Sequence, residues 1–388
     1  MNSVQLEFLS ILDAAIHQKE FHVNQDLSVD VLMVEAKAHD VCGLIYAVIK
    51  NQLKLESYKQ EVIFQSLMQS RYYQKGLEVI SFLQESGIQV VLLKGSVLKS
   101  YYPNPDLRTM GDIDLLVPRE QLGLVEQLLT HRGYTKTSSH NEKHEVYEGE
   151  GFQLEVHWSL VNVSRQKGMD LFETNLWNRL IPVKLLEQQF LTLNDEDFLI
   201  HLVLHAASHF KSSGFGVRQL CDLTLWIEQK EDWDWTYIEE QLYLLNCHQF
   251  FVYCKEACHR YLGLKIRGII TLDEFCFEDF MNHIFSSGVH GKRDSQTQFG
   301  NYFAYGKHKE HVGVIWFQCI FPSVNDLPMR YHYAKRYPVL LPIAWIHRIF
   351  RVIFHPMYDT NQKVYFFFHS PSIAKQKHRL LKGVGLSE

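Results

Sequence analysis

Two aspartates in an otherwise apolar run are the first feature of this sequence that could do chemistry. In the segment GDIDLLV, residues 111–117, a strand would project Asp112 and Asp114 from one face. Ile113 and Leu115 would then enter the core. Two carboxylates this close repel each other, and burying them unpaired is costly. A divalent cation removes that cost, and hard oxygen ligands suit Mg²⁺ or Mn²⁺, so the spacing predicts a metal site on this strand.

A glycine and a serine upstream could hold a phosphate. Gly95 and Ser96 follow an apolar, β-branched run at 88–93 that predicts a buried strand, and they open a short helix. Free N–H groups and the helix dipole at such a start favour an anion, and glycine lets the backbone approach it closely. The alternative is a simple helix cap. With the aspartates, a phosphate cradle indicates metal-assisted phosphoryl or nucleotidyl chemistry.

Three further polar residues lie close to these motifs in the sequence. Lys94 and Arg108 are either ordinary surface charges or cations that neutralise a triphosphate and fix the loop before the aspartates. His157 shares a strand face with Glu155 in the alternating run FQLEVHW, while Leu154 and its apolar neighbours take the other face. We therefore expect His157 either to contact substrate or to be structural.

Hydrophobic periodicity divides the chain into three regions. Helical spacing predicts an N-terminal helical region over 1–87 and a large C-terminal helical region over 186–388. Between them, strands at 88–93 and 112–117, a helix at 119–131 and a hairpin turning at Gly149-Glu150-Gly151 predict a core at 88–185. The expected fold class is therefore α/β, with a small mixed sheet.

Composition narrows the function classes. The chain has 388 residues, 46% of them hydrophobic, and a formal net charge of −5, which disfavours a protein that wraps nucleic acid. It shows no signal-peptide pattern and no apolar run long enough to span a membrane, so we expect a cytoplasmic location. Seven scattered cysteines suit a reducing compartment. Cys247, Cys254 and Cys258 share a helical face and are expected to be buried thiols rather than a zinc site.

These motifs together resemble a known superfamily. The string KGS at 94–96, followed by a helix, a loop and GDIDLLV, is similar to the nucleotidyltransferases with the DNA polymerase β-like fold. More specifically, LLKGS, Arg108, GDIDLLV, the LEVHW strand and the later H-x3-H helix resemble a bacterial family of uncharacterised nucleotidyltransferases, often called NTP_transf_5. The likeness extends over most of the chain.

The resemblance implies roles for named residues. Gly95 and Ser96 would hold the triphosphate, and Asp112 and Asp114 would ligate metal together with Glu155 as the third carboxylate. Facing the cleft from the helical region would be His205, His209, Arg218 and Asp222. A histidine stripe formed by His201, His205 and His209 could equally be structural; because no glutamate follows His201, the H-E-x-x-H pattern of a metalloprotease is absent.

The expected function is a metal-dependent nucleotidyltransferase. It would use Mg²⁺ or Mn²⁺ to move a nucleoside monophosphate from an NTP, expected to be ATP, to an acceptor hydroxyl. Glu155 would also serve as general base. The acceptor is a small molecule, a peptide or a protein, and nucleic acid is disfavoured. Two alternatives stay open: a degenerate protein that binds nucleotide or a partner and regulates it, and a phosphotransferase that uses the same cleft.

Overall fold

The chain folds into two compact units. The computed structural model describes residues 1–24, 26–137, 144–160, 169–212, 214–266, 271–289, 317, 321–324, 327, 329–353, 372 and 375–386. The first unit comprises Met1–Ala207 and Gly216–Thr271, and the second comprises Ser208–Phe215 and Leu272–Glu388. All the strands and all the predicted site residues except His209 belong to the first unit.

Four helices precede the first strand, as the periodicity predicts. They are α1 (Ser3–His17), α2 (Val29–Ala38), α3 (Cys42–Ile49) and α4 (Glu56–Glu85). A reciprocal capping box between Asn2 and Gln5 starts α1, and its apolar stripe is buried. The 30-residue α4 ends near Gly87, whose φ of 86° suits glycine at a helix C-terminus.

Seven strands form one mixed sheet. They are β1 (Val91–Leu92), β2 (Asp112–Leu116), β3 (Thr135–Lys136), β4 (His144–Gly149), β5 (Phe152–His157), β6 (Leu180–Leu185) and β7 (Gln188–Leu193), in the order β3-β4-β5-β2-β1-β7-β6. Strand β2 runs parallel to β5 and antiparallel to β1. Two helices lie between these strands in the chain: the short α5 (Gly95–Leu98) and α6 (Leu122–His131). The α/β class with a small mixed sheet is confirmed.

The strand expected at 88–93 is shorter than the apolar run suggests. Val91 and Leu92 pair with both β2 and β7, and the Leu93 amide adds one hydrogen bond to the Asp114 carbonyl at 3.2 Å. Just before them, the side chain of Gln121 accepts a hydrogen bond from the Gln89 amide at 2.9 Å and donates to the Gly87 carbonyl at 3.3 Å. A side chain thus satisfies backbone groups that a longer strand would have paired with a neighbour.

The expected hairpin forms with a two-residue turn. Glu150 and Gly151 both have positive φ, 53° and 88°, which matches the right-handed twist of the strands that they join. The turn sets the register, so that His144 pairs with His157 and Val146 with Glu155. This register decides which side chains of the hairpin lie on the same face as Glu155 and His157.

Helix α4 packs along the start of the aspartate strand. Gln69 accepts a hydrogen bond from the Met110 amide at 2.7 Å and donates to its carbonyl at 3.0 Å. One helical turn later, the Tyr73 hydroxyl donates to the Ser96 carbonyl at 3.2 Å. At Gly76 a Cβ would overlap the Cδ1 of Ile113, so glycine is what lets the helix come this close to β2.

Helix α7 (Met169–Leu176) lies between β5 and β6 in the chain. The remaining described α-helices of the first unit follow the sheet: α8 (Asp195–Ser212), which runs on into the second unit, α9 (Val217–Glu228), α10 (Trp235–Leu244) and α11 (His248–Tyr261). Cys254 and Cys258 of α11 and the preceding Cys247 are buried, as expected for core thiols.

The second unit is helical where the structure describes it. Its helices are α12 (Glu274–Ser287), α13 (His332–Arg336) and α14 (Leu341–Ile353). The Lys377 ammonium is buried and lies 2.6 Å from both the Phe210 carbonyl and the His283 ring. Across the described part of both units, no helix combines the length and apolarity that crossing a bilayer requires.

The close approach at Gly76 predicts opposite outcomes for two glycine-to-alanine substitutions. In Gly76→Ala, overpacking against Ile113 costs about 1–3 kcal/mol, which exceeds the roughly 1 kcal/mol gained in helix propensity. In the exposed Gly123→Ala of α6, nothing lies within 4 Å of the new Cβ, and we expect a gain of up to about 1 kcal/mol. Midpoints of urea-induced unfolding measure both; equal shifts of the same sign would contradict the packing argument.

Candidate functional site

Three carboxylates meet on one face of the sheet where β2 lies beside β5. Asp114 stands directly opposite Glu155 in the parallel register, and Asp112 stands two residues earlier on the same face. Asp112, Asp114 and Glu155 each place a carboxylate oxygen within 4.8 Å of the others. Ile113 and Leu115 point the other way and are buried, as the alternation predicts. The structure therefore brings the three predicted metal ligands together.

Asp114 is surrounded by positive charge. The Lys94 ammonium lies 2.6 Å from Asp114 Oδ1, and His157 Nε2 lies 2.9 Å from the same oxygen. Burial alone would raise the pKa of Asp114, but these two partners hold it well below its usual range. Burial lowers the pKa of Lys94 less than Asp114 and Asp112 raise it, so the lysine stays charged. His157 lies against Asp114 and Glu155, and its contact with substrate stays a prediction.

Asp112 is the carboxylate of the cluster whose ionisation is disfavoured. Repulsion by Asp114, with burial second, raises the pKa of Asp112 to about 6. Glu155 behaves differently: burial would raise its pKa, but His157, His144 and Lys94 together lower it. With 22% of its side chain exposed against 4% for Asp114, Glu155 is the more accessible of these two paired carboxylates.

The loop that carries Gly95 and Ser96 has the features of an anion cradle. Lys94 adopts φ 38° and ψ −112°, a sparsely populated conformation for a residue with a side chain, at the point where β1 turns into α5. The Ser96 hydroxyl is buried and has no hydrogen-bond partner in the described structure. A Cβ at Gly95 would press on Met110 and Arg108 at 3.0–3.1 Å, so glycine allows this turn to pack on the loop before β2.

The donor set fits a hard divalent cation. Oxygen atoms from Asp112, Asp114 and Glu155 converge, and the Lys94 ammonium contacts Asp114. The pKa of Asp112 is raised although Lys94 and Arg218 both act to lower it, so negative charge remains in excess at this carboxylate. These oxygens are the ligands that Mg²⁺ and Mn²⁺ prefer.

Arg108 and Asp222, both predicted to bind nucleotide, pair with each other. Arg108 donates from Nε and Nη2 to the two oxygens of Asp222, each at 2.8 Å. The Tyr102 hydroxyl also donates to Asp222, at 2.8 Å, and all three residues are buried. This ion pair joins the loop before β2 to α9, and the nearby Asp112 also helps to raise the pKa of Arg108. Nucleotide binding by Arg108 and Asp222 stays a prediction.

Arg218, on α9, holds the loop before β2 and acts on Asp112 through its charge. Its Nη1 donates to the Thr109 hydroxyl at 2.8 Å and the Thr109 carbonyl at 3.1 Å, and lies 3.3 Å from an oxygen of Asp40. Its charge lowers the pKa of Asp112, although not enough to offset repulsion by Asp114. Of the residues predicted on α9, Arg218 is thus the one whose charge reaches the metal cluster.

The histidine stripe lies along α8. His201 is buried, with its ring 6.3 Å from that of His205, and both belong to the first unit. His209 belongs to the second unit. Nucleotide binding by His205 and His209 stays a prediction.

Sequence reasoning missed two groups of residues. His144 lies on the face that carries Glu155 and His157, because the two-residue turn places it opposite His157. Pairing residues symmetrically about the turn at Gly149-Glu150-Gly151 would have identified it. The supports Gln69 and Tyr73 on α4 had no signal in the sequence, since only the docking of the helix brings them to the loops.

Comparison with known proteins places the chain in a family. A model described as "Uncharacterised nucleotidyltransferase" matches residues 26–263, which contain the carboxylates, the Gly-Ser loop and α9. The chain belongs to this family. Family membership shows a nucleotidyltransferase type of protein, whose activity requires a nucleotide substrate. A search of curated proteins found no match.

Two solved structures resemble this nucleotidyltransferase family member distantly. The antibiotic-resistance factor ANT(2'')-Ia has 10% identity and a TM-score of 0.33, with 50% of this chain and 98% of that one covered. An antigenic nucleotidyltransferase-like protein from Paracoccidioides brasiliensis has 16% identity and a TM-score of 0.34, with 53% and 94% covered. At such TM-scores neither likeness supports an inference about this chain.

The buried Arg108–Asp222 pair predicts a loss of stability when one partner is neutralised. Asp222→Asn leaves a buried guanidinium unpaired, which costs about 3–5 kcal/mol. The exposed pair Lys184–Glu187 offers a control, because Glu187→Gln should cost less than about 1 kcal/mol. Urea-induced unfolding without nucleotide measures both. Unchanged stability with weakened nucleotide binding in Asp222→Asn would instead support the role expected from the sequence.

The raised pKa of Asp112 predicts that its neutralisation stabilises the metal-free protein. The folded chain holds this proton more tightly than the unfolded chain, in which the pKa is near 3.8, so stability falls as pH rises from about 4 to about 6. Asp112→Asn should therefore gain about 3 kcal/mol at pH 7.5 and roughly half of that at pH 5.

Unfolding in EDTA at the two pH values measures this effect. Asp232→Asn, at an exposed aspartate, is the control and should change stability at neither pH. A destabilised Asp112→Asn, or a gain independent of pH, would contradict the repulsion between Asp112 and Asp114.

Proposed function

We propose that the protein transfers a nucleoside monophosphate from an NTP to an acceptor hydroxyl, with ATP as the preferred NTP. The observation that carries the proposal is the convergence of Asp112, Asp114 and Glu155 beside the Gly95-Ser96 turn with its unpartnered buried hydroxyl. Carboxylates that hold divalent metal next to a phosphate cradle are suited to reaction at a triphosphate. The family description supports the same reaction class.

In this proposal each group of the site has a defined task. Asp112, Asp114 and Glu155 would hold Mg²⁺ or Mn²⁺, which supplies charge neutralisation for the triphosphate. The Ser96 hydroxyl and the backbone N–H groups of Gly95 and Ser96 would donate to phosphate oxygens. The Lys94 ammonium, which contacts Asp114, would add a positive charge for the triphosphate once metal replaces it at that carboxylate.

The bond changes balance without any further reactant. The acceptor oxygen forms a bond to the α-phosphorus, the bond from this phosphorus to the bridging oxygen of the β-phosphate breaks, and pyrophosphate leaves. Glu155 takes the hydroxyl proton, because it is ionised at neutral pH and the more exposed of the two paired carboxylates. The acceptor would be a small molecule, a peptide or a protein.

Labelled nucleotides test the reaction. Protein is incubated with Mg²⁺ or Mn²⁺, each of the four NTPs, and a pool of hydroxyl-bearing metabolites and peptides, using α-labelled and γ-labelled ATP in parallel. We expect the α-label to be transferred and pyrophosphate to be released. Asp114→Asn should lower the rate by about 100-fold or more, because it removes a metal ligand, whereas the exposed Asp232→Asn should not.

Other outcomes distinguish the alternatives. Transfer of the γ-label would show a phosphotransferase instead. Metal-dependent ATP binding without transfer, equal in wild type and Asp114→Asn, would favour the regulatory nucleotide-binding protein. Mass spectrometry of the protein itself would detect self-modification as a third possible acceptor.

A further inference from the structure

A second cluster of metal-ligating side chains lies on the same sheet face, next to the three carboxylates. His144 and His157 stand directly opposite each other in the antiparallel register of β4 and β5. Glu155 is two residues before His157 and therefore shares its face. Each of the three offers one ligand atom, and these atoms all lie within 4.8 Å of one another. The proposed nucleotidyl transfer makes no use of His144.

The distances between the ligand atoms suit an ion placed among them. His157 Nε2 lies 3.5 Å and His144 Nε2 lies 3.7 Å from Glu155 Oε2. Both distances exceed those of good hydrogen bonds, which are about 2.7–3.2 Å. Zinc holds nitrogen and oxygen ligands at about 2.0–2.2 Å in a tetrahedron, which sets neighbouring ligands about 3.3–3.6 Å apart. Both nitrogen-to-oxygen distances are therefore close to those of a zinc site, and the two imidazole nitrogens, which lie within 4.8 Å of each other, would have to approach to complete it.

The chemistry of the donors differs from that of the carboxylate cluster. Two imidazoles with one carboxylate favour zinc and its transition-metal neighbours, whereas three carboxylates favour Mg²⁺. The side chains of His157, His144 and Glu155 are 12%, 16% and 22% exposed, so the group is sheltered and still open to an ion from solvent. Three protein ligands leave a coordination position for water or substrate.

One competing contact has to be accommodated. His157 Nε2 lies 2.9 Å from Asp114 Oδ1, so binding an ion through Nε2 removes a partner from that aspartate. Lys94 lies 2.6 Å from the same oxygen and keeps Asp114 paired with a positive charge. Asp114 is therefore not left as an isolated buried carboxylate when His157 turns to a metal.

We propose that His144, Glu155 and His157 form a binding site for a divalent transition-metal ion of the zinc type, separate from the Asp112–Asp114 pair. The site does not depend on the proposed nucleotidyl transfer. Because Glu155 belongs to both clusters, an ion at the histidines also fixes the third carboxylate of the first cluster.

Cobalt binding tests the site without nucleotide. Protein stripped with EDTA and exchanged into metal-free buffer is titrated with Co²⁺, whose visible d–d absorption reports a low-coordinate nitrogen and oxygen site, and bound Co²⁺ is then displaced with Zn²⁺. We expect one equivalent to bind with this spectrum. His144→Gln should weaken binding by about 100-fold or more, since it removes one of three ligands, while the exposed His131→Gln should bind as wild type.

Asp112→Asn separates the two clusters. It removes a ligand of the carboxylate cluster only, so Co²⁺ should bind with an affinity within about threefold of wild type. Loss of the cobalt spectrum in Asp112→Asn together with normal binding in His144→Gln would overturn the proposal. So would an intense near-ultraviolet thiolate-to-cobalt band, which would assign the ion to cysteines.

A measurement on wild-type protein covers the case in which His144→Gln does not fold. X-ray absorption of the zinc-loaded protein should show two imidazole ligands, and an all-oxygen shell would contradict the site. Nucleotidyl transfer with Mg²⁺ and cobalt binding are read out separately, so either can fail while the other holds.

Discussion

Repulsion between Asp112 and Asp114 is the constraint around which this site is arranged. The sheet register places a third carboxylate, Glu155, opposite Asp114, so negative charge accumulates on a largely buried face. One lysine and one imidazole offset the negative charge of Asp114. The repulsion that they leave uncompensated raises the pKa of Asp112. A face built in this way favours a cation, and this is the physical basis of the proposed Mg²⁺ or Mn²⁺ site.

Two arginines combine a structural contact with an electrostatic one beside this face. Arg108 donates two hydrogen bonds to Asp222, which also accepts one from Tyr102, and Asp112 helps to raise the pKa of Arg108. Arg218 holds Thr109 with one nitrogen, and its charge lowers the pKa of Asp112. The loop before β2 is thus held by groups whose charges also act on the cluster.

Local rules predicted four of the seven strands, β1, β2, β4 and β5, and brought the paired aspartates to one face. They did not predict β3, β6 or β7, and β7 lies in the region that was expected to be helical. Alternation placed Asp112 and Asp114 on one face, and the glycine-containing turn located the hairpin. Long-range contacts could not be read in the same way: the shortened β1 depends on Gln121, and the partner of Arg108 lies more than a hundred residues away. His144 could have been identified by pairing residues across the turn, but a single histidine carries no signal of its own until its cross-strand partner is known.

Helix α4 has a consequence for how the site can move. Gln69, Tyr73 and Gly76 are spaced by three or four residues and so form a single stripe, which touches the loop before the aspartates, the phosphate turn and the aspartate strand itself. A shift of the helix by one turn would release all three contacts at once. The strand that carries the aspartates and the turn at Gly95-Ser96 are therefore positioned by one stripe of one helix, so a displacement of α4 would disturb both together.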